Sequence, residues 1–284
     1  MPVRVVRVIE QLRIPTKAGT FDAIGAGPAD GAGVLLLHGF PEASVQWEAQ
    51  ISALAAAGFR AVAPDQRGYS PDVRPDDVLD YVMDELVGDV LAIADQLGWN
   101  RFHLVGHDWG AAVSWTFASE HPERLRTLTA VSVAHPTALN KAIKTDEDQA
   151  LRSAYMQRFR QVGTAEKLLL ADNAKALRGV YDHKVPPSRI EDYVRRLSEP
   201  GALTAALNWY RAMGKSPLRA EASTVPTLFV WGTEDVAIGS VAALDTEQWV
   251  TGPYRFEMLE DVSHWVCEEA ESELIGLLLE HLAR

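Results

Sequence analysis

Cysteine is nearly absent from this chain: Cys267 is the only one in 284 residues. An internal disulfide is therefore impossible, which favours a reducing compartment. Positive charge is also in deficit. Lys and Arg number 27 against 39 Asp and Glu, a net charge of −12, whereas a nucleic-acid-binding face needs the opposite balance. No apolar run approaches the ~20 residues that span a bilayer. Residues 1–15 alternate apolar side chains with arginine and lack the apolar block of a signal peptide. There is no internal repeat and no low-complexity segment. These absences predict a soluble cytoplasmic protein with no membrane anchor and no nucleic-acid partner.

What is present suits one α/β domain carrying an insertion, with 47% hydrophobic residues to fill its core. Residues 4–14 and 20–24 read as two strands around a turn at 17–19. Residues 34–37 form a short, wholly apolar strand that ends at His38-Gly39. A helix over 44–57 closes at Gly58, and a buried strand follows over 59–63. A helix over 81–97 stops at Gly98. Strands are predicted over 102–105 and 128–133, with a helix to about 119 between them. Alternating buried strands and helices mean a mostly parallel sheet covered on both faces. From 137 to 216 no buried β-run occurs. Helical stretches over 146–162, 164–177, 187–197 and 203–213 mark an inserted helical cap. Strands resume over 225–232 and 254–259, eight in all, before a last helix over 270–283. The predicted organisation is a core over 1–136 and 217–284 with the cap over 137–216.

Gly106-His107-Asp108-Trp109-Gly110 carries the most chemical information. It joins an apolar strand to a helical pattern, as does the nucleophile elbow of α/β-hydrolases. The apex residue there is usually Ser; here it is Asp108. A carboxylate can displace a leaving group from saturated carbon and retain the product as an ester. The competing reading of Asp108 is a plain helix N-cap. The flanking glycines favour the elbow, because they permit a tight, strained turn.

The chain resembles the epoxide-hydrolase branch of the α/β-hydrolase superfamily from His38 to its final helix, including the cap. The resemblance rests on six segments in order: His38-Gly39-Phe40-Pro41-Glu42, Asp65-Gln66-Arg67-Gly68-Tyr69, the elbow, Leu207-Asn208-Trp209-Tyr210-Arg211, Trp231-Gly232-Thr233-Glu234-Asp235, and Val262-Ser263-His264-Trp265. Two departures stand out. Ser263 occupies a common glycine position, and Arg158 and Arg160 make the first cap helix unusually basic.

The resemblance implies a role for each group. Asp108 is the nucleophile, already ionised at neutral pH. Asp235 is the acid, fitting the Gly-x-x-Asp spacing better than its neighbour Glu234. His264 is the base that activates water, oriented by Asp235; His183 and His281 are poorer placed. The backbone N–H groups of Phe40 and Trp109 form the oxyanion hole. Tyr155 and Tyr210, in the cap, donate a proton to the opening ring oxygen; both could instead simply pack the cap. His38, Pro41 and Phe159 are expected in the wall of the substrate pocket, while His38 and His107 more naturally hold loops than act as bases. The implied reaction converts a small-molecule epoxide and water to a diol, with no cofactor and no metal. Dimerisation through the cap is left open.

A haloalkane dehalogenase is the main competing enzyme. It would favour Asn at the position of Phe40, and two cap tyrosines suit an oxygen leaving group better. Fluoroacetate dehalogenases favour Arg where Trp109 stands, and a serine esterase needs a different apex. A catalytically silent binding protein would have no use for Asp108, Asp235 and His264 together.

Overall fold

The computed structural model describes residues 9–213, 215 and 220–283. Its centre is an eight-stranded sheet in the order β1-β2-β4-β3-β5-β6-β7-β8. The strands are β1 (Glu10–Thr16), β2 (Gly19–Ala26), β3 (Gly33–Leu37), β4 (Arg60–Pro64), β5 (Phe102–His107), β6 (Leu125–Val131), β7 (Thr227–Gly232) and β8 (Tyr254–Leu259). The β1-β2 and β2-β4 pairs are antiparallel, and every later pair is parallel. The central parallel strands are buried along their whole length, as the unbroken apolar runs Val34-Leu35-Leu36-Leu37 and Leu228-Phe229-Val230-Trp231 require.

Side chains alternate across the sheet into two cores. Leu35, Leu37 and Leu104 face one core with α2 (Met83–Gln96) and α3 (Trp109–Glu120). Val34, Leu36 and Val105 face the other with α1 (Glu48–Ala56) and α12 (Glu271–Leu282). Between β6 and β7 the described residues carry α4 (Pro136–Thr145), α5 (Glu147–Arg152), α6 (Tyr155–Phe159), α7 (Thr164–Gly179), α8 (Pro187–Leu197) and α9 (Ala202–Ala212). The shorter α10 (Ser240–Asp245) follows β7, and α11 (Val266–Glu269) follows β8. No described helix is long and apolar enough to cross a membrane.

The predicted strand over 254–259 coincides with β8, and the other predicted strands overlap β1 to β7 with shifted ends. Residues 4–8 of the first predicted strand lie outside the described residues. The single helix expected over 44–57 opens as a 3-10 turn, Ser44–Trp47, before α1. Three differences fall in the insertion. The stretch over 146–162 is two short helices, α5 and α6, parted at Ser153-Ala154. Within α7 the backbone leaves helical geometry from Ala171 to Ala174. And α4, unpredicted, starts at Pro136 with the His135 ring accepting the Thr137 N–H.

Candidate active site

The site lies beyond the C-terminal ends of β3, β5, β7 and β8, where open α/β sheets bind ligands. The strand order reverses between β3 and β5, which opens a crevice there. Asp108 follows β5 with φ 51° and ψ −118°, a conformation that costs a non-glycine residue about 1–3 kcal/mol. The elbow glycines make the turn sterically feasible. A Cβ on Gly106 would overlap the Gly110 carbonyl, and one on Gly110 would overlap the Leu37 carbonyl. Asp108 stands at the N-cap position of α3 but makes no side-chain capping bond. Its carboxylate turns away from the helix, which removes the competing reading of a plain cap.

One carboxylate oxygen, Oδ1, accepts the Phe40 N–H at 2.8 Å. The other, Oδ2, lies 3.4 Å from His264 Nε2. His264 Nδ1 donates to Asp235, 2.9 Å from Oδ2 and 3.0 Å from Oδ1. Asp235 Oδ1 also accepts the N–H groups of Ala237 at 2.8 Å and Ile238 at 2.9 Å, which fixes its plane. Glu234 is exposed and only Asp235 reaches the histidine. Asp108, Asp235 and His264 are all buried. Burial disfavours the His264 cation, but the charge of Asp235 and the hydrogen bond to Asp108 outweigh it and hold its pKa well above the usual imidazole value. Burial likewise raises the Asp108 pKa, but the hydrogen bond and charge of His264, with His107 and the Phe40 N–H, carry it below the usual carboxylate value. The resting site is therefore an ion pair.

Across from the carboxylate, Tyr155 opens α6 and Tyr210 lies near the end of α9. Their ring centroids are 6.1 Å apart and the rings meet edge-on, at 72°. Burial and the Asp108 charge push both phenols above their usual pKa, with Tyr155 adding to the rise at Tyr210, so both keep their protons. Arg160, a departure noted in the sequence, donates from Nε to the Tyr210 carbonyl at 3.0 Å and ties α6 to α9. Asp108, Trp109, Tyr155 and Tyr210 border one cavity. Its remaining wall is apolar, chiefly Leu139, Ile143, Met156, Met213 and Ile238.

The pocket expectation needs correction, because His38, Pro41 and Phe159 do not line this cavity. His38 is a buried loop strut. Nδ1 donates to the Gly39 carbonyl at 2.9 Å, Nε2 accepts the Gln66 N–H at 3.1 Å, and burial pulls its pKa down to about 4. Pro41, joined to Phe40 by a cis peptide, offers its carbonyl to the Tyr181 hydroxyl at 2.9 Å. Phe159 packs edge-on against Phe40, Tyr155 and Tyr210 and backs the tyrosines from behind. The α4 wall was missed, although His135-Pro136 as a helix start and Leu139 with Ile143 at i, i+4 were the available signals.

Behind the site, the His264 carbonyl accepts from His107 Nε2 at 2.8 Å and from the Ser132 hydroxyl at 2.9 Å. His107 Nδ1 in turn lies 2.8 Å from Glu42 Oε2. Sequence reading gave His107 a loop-holding part and no partner. Among the described residues, no group of three or more His, Cys, Asp or Glu is placed to hold a metal ion.

Comparison with known proteins agrees with this architecture. The α/β hydrolase fold family matches residues 34–271. Epoxide hydrolase A of Mycobacterium tuberculosis is 31% identical, covering 95% of this chain and 96% of its own. AB hydrolase superfamily protein YfhM of Bacillus subtilis is 34% identical, with 95% and 96% coverage. The crystal structure of a Bacillus megaterium epoxide hydrolase in complex with an inhibitor superposes with a TM-score of 0.87 at 27% identity, covering 96% of this chain and all of the other. With its elbow, sheet order and helical insertion, the chain belongs to the α/β-hydrolase family, and it is similar to epoxide hydrolases over nearly its whole length.

Proposed function

We propose that this protein is an epoxide hydrolase that works through a covalent ester on Asp108. One observation carries the reading: two tyrosines that keep their phenol protons share a mainly apolar cavity with a carboxylate nucleophile. An epoxide needs both, a nucleophile at carbon and an acid at oxygen. The helical insertion, taken as residues 137–216, acts as the cap that supplies the acid.

In the first step Asp108 Oδ2 attacks a ring carbon and the carbon–oxygen bond breaks. The ring oxygen takes a proton from Tyr155 or Tyr210, and the resulting phenolate recovers one from His264 or solvent. Esterification removes the negative charge of Asp108. That charge and its hydrogen bond help hold the proton on His264, so their loss lowers the imidazole pKa and releases a base. In the second step neutral His264 takes a proton from water, and the hydroxide adds to the ester carbonyl. Oδ1, already on the Phe40 N–H, becomes the oxyanion, with the Trp109 N–H as its second donor. Collapse of the intermediate breaks the ester bond; the leaving alkoxide takes the proton from the His264 cation and departs as the diol, and the Asp108 carboxylic acid returns its proton to His264 to restore the ion pair. Asp235 orients His264 throughout and balances its cation. The substrate is a small neutral epoxide with an apolar substituent, suited to the Leu139, Ile143 and Met156 wall; no cofactor or metal enters any step.

The test is a mass measurement on His264→Gln treated with an aryl epoxide. Ring opening loses no atom, so the protein gains the full mass of the reagent, on the peptide that carries Asp108. A haloalkane dehalogenase would instead form adducts only from haloalkanes, each lighter than its reagent by the halogen. No adduct from any reactive epoxide refutes the proposal. A full-mass adduct that persists in Asp108→Ala removes Asp108 from its role.

A further inference from the structure

Two glutamates behind His264 take no part in the steps above. Glu42 follows β3 and is buried. Glu268 lies on α11; its Oε1 accepts the Tyr193 hydroxyl at 3.0 Å, which links it to α8. Glu42 Oε1 and Glu268 Oε2 are both buried and have no donor if both groups are carboxylates. Each side chain lies near enough to the other to influence its titration, and a proton carried by one is the simplest way to satisfy an orphaned oxygen of the other.

The same count extends to His107. Two links are hydrogen bonds, Glu42 Oε2 to His107 Nδ1 at 2.8 Å and His107 Nε2 to the His264 carbonyl at 2.8 Å, and the inferred proton between Glu268 and Glu42 makes a third in series. Each needs one proton. Two carboxylic acids and one neutral imidazole carry three between them. Gln46 Nε2, 3.1 Å from His107 Nδ1, is a second donor to that nitrogen and favours its unprotonated form. The chain then runs one way. Tyr193 donates to Glu268, Glu268 to Glu42, Glu42 to His107, and His107 to the main chain of His264.

We propose that Glu42 and Glu268 are positioning residues, an un-ionised acid pair that fills this relay and holds His264 from behind, and that loss of one proton from the pair slows ester hydrolysis at alkaline pH. With a proton missing, one link becomes an acceptor facing an acceptor, whichever group ionises. The groups facing Glu42 agree with this assignment. Burial is the largest influence and, with the Asp108 charge, pushes its pKa up to about 8, against His264 and Glu268, which lower it. Burial and Glu42 also push Glu268 well up. The other titratable neighbours are His107, Tyr69, Tyr181, Tyr193 and Cys267. The nearby cations, Arg178 and Arg189, act on Tyr181 and Tyr193.

The kinetic consequence rests on His264 being the base of the proposed hydrolase, so the experiment has one arm that needs no activity. Infrared difference spectra of the wild type against Glu42→Gln and Glu268→Gln should each show a protonated carboxyl band at pH 7, and the Glu42 band should titrate away near pH 8. Absence of those bands overturns the proposal. In single-turnover assays with an aryl epoxide, ester hydrolysis by the wild type should fall about 2- to 12-fold above pH 8, the rate equivalent of one hydrogen bond. Glu42→Gln, whose amide donates to His107 and accepts from Glu268 without titrating, should lose that fall. Glu268→Gln, which keeps a donor to Glu42, should retain it and serves as the second variant if Glu42→Gln fails to fold. The same fall in Glu42→Gln, or no fall in the wild type, overturns the proposal. Failure of the wild type to form any ester defeats the epoxide-hydrolase reading instead, and the infrared bands still judge the acid pair.

Discussion

Replacing Asp235 by Asn should stop the second half of the reaction while sparing the first. The two backbone N–H groups of Ala237 and Ile238, 2.8 and 2.9 Å from Oδ1, accept no substitute for an oxygen at that place. They orient the new amide with its oxygen toward them. The amide nitrogen then occupies the place of Oδ2, 2.9 Å from His264 Nδ1. Two donors cannot face each other, so the imidazolium gives up its Nδ1 proton and keeps the one on Nε2. That is the nitrogen directed at Asp108, 3.4 Å from Oδ2, and once protonated in the neutral ring it can no longer take a proton from water. A wrong tautomer of this kind costs on the order of 10⁴ in rate in a serine protease triad, and a similar loss is expected for ester hydrolysis. Asp108 stays ionised, because Nε2–H still donates to it and the Phe40 N–H still holds Oδ1. Alkylation should slow by no more than about tenfold, roughly one charge-assisted hydrogen bond. Rapid mixing with an aryl epoxide, followed by intact-protein mass, separates the steps: the ester should build up to nearly one per chain and persist. Equal slowing of both steps, or hydrolysis within about tenfold of wild type, refutes the tautomer reasoning.

Tyr155→Phe and Tyr210→Phe should each slow ester formation, by up to about 10²–10³, the usual loss for one donor at a developing oxyanion. The double variant should nearly abolish it, and wild-type rates in that variant would place the acid elsewhere. A third prediction concerns acid stability. Burial draws the pKa of His103 down to about 4, with Arg126 and His281 adding to the effect, against 6.5 for the free side chain. The unfolded chain therefore binds the proton first, and the stability contribution is present above pH 6.5 and lost as pH falls from 6.5 toward 4. The loss is about 2 kcal/mol by pH 5. Urea denaturation at pH 7 and pH 5 should show a smaller difference in His103→Gln than in the wild type; an unchanged difference would refute it.

The parts of this structure legible in the sequence are those set by local pattern. Unbroken apolar runs marked the parallel strands, and glycines at 58 and 98, both at positive φ, marked two helix ends. The elbow was legible because its glycines answer a steric demand that only glycine meets. The site residues came from order along the chain, which says that Asp235 and His264 follow Asp108 but gives no distances. The helical insertion was the least legible region. Its helices pack among themselves and onto the core, so propensity alone did not reveal the break at Ala171–Ala174 or the start of α4. The pocket wall was misjudged for a related reason. His38, Pro41 and Phe159 neighbour the site in sequence pattern, yet hydrogen bonds to Gly39 and Gln66 and packing on Phe40 turn them into its supports. The support behind His264 depends on contacts between residues 42, 107 and 264, a relation no local pattern encodes.

Phe40, Asp108, Asp235 and His264 reach one another from four widely separated stretches of the chain, and the last two follow β7 and β8 at the far edge of the sheet. Domains generally fold from the N-terminus as they are synthesised. A ribosome-bound chain that stops before residue 264 can already carry the elbow, but it has no histidine to pair with Asp108. In the proposed reaction Asp108 can be alkylated without His264, but its ester is hydrolysed only with it, so release of an epoxide label would act as a clock. Before the last strand docks the ester would persist; afterwards it would be cleared. The moment at which a labelled nascent or refolding chain first releases the diol would date the closure of the final parallel pair, with no fluorophore and no engineered probe.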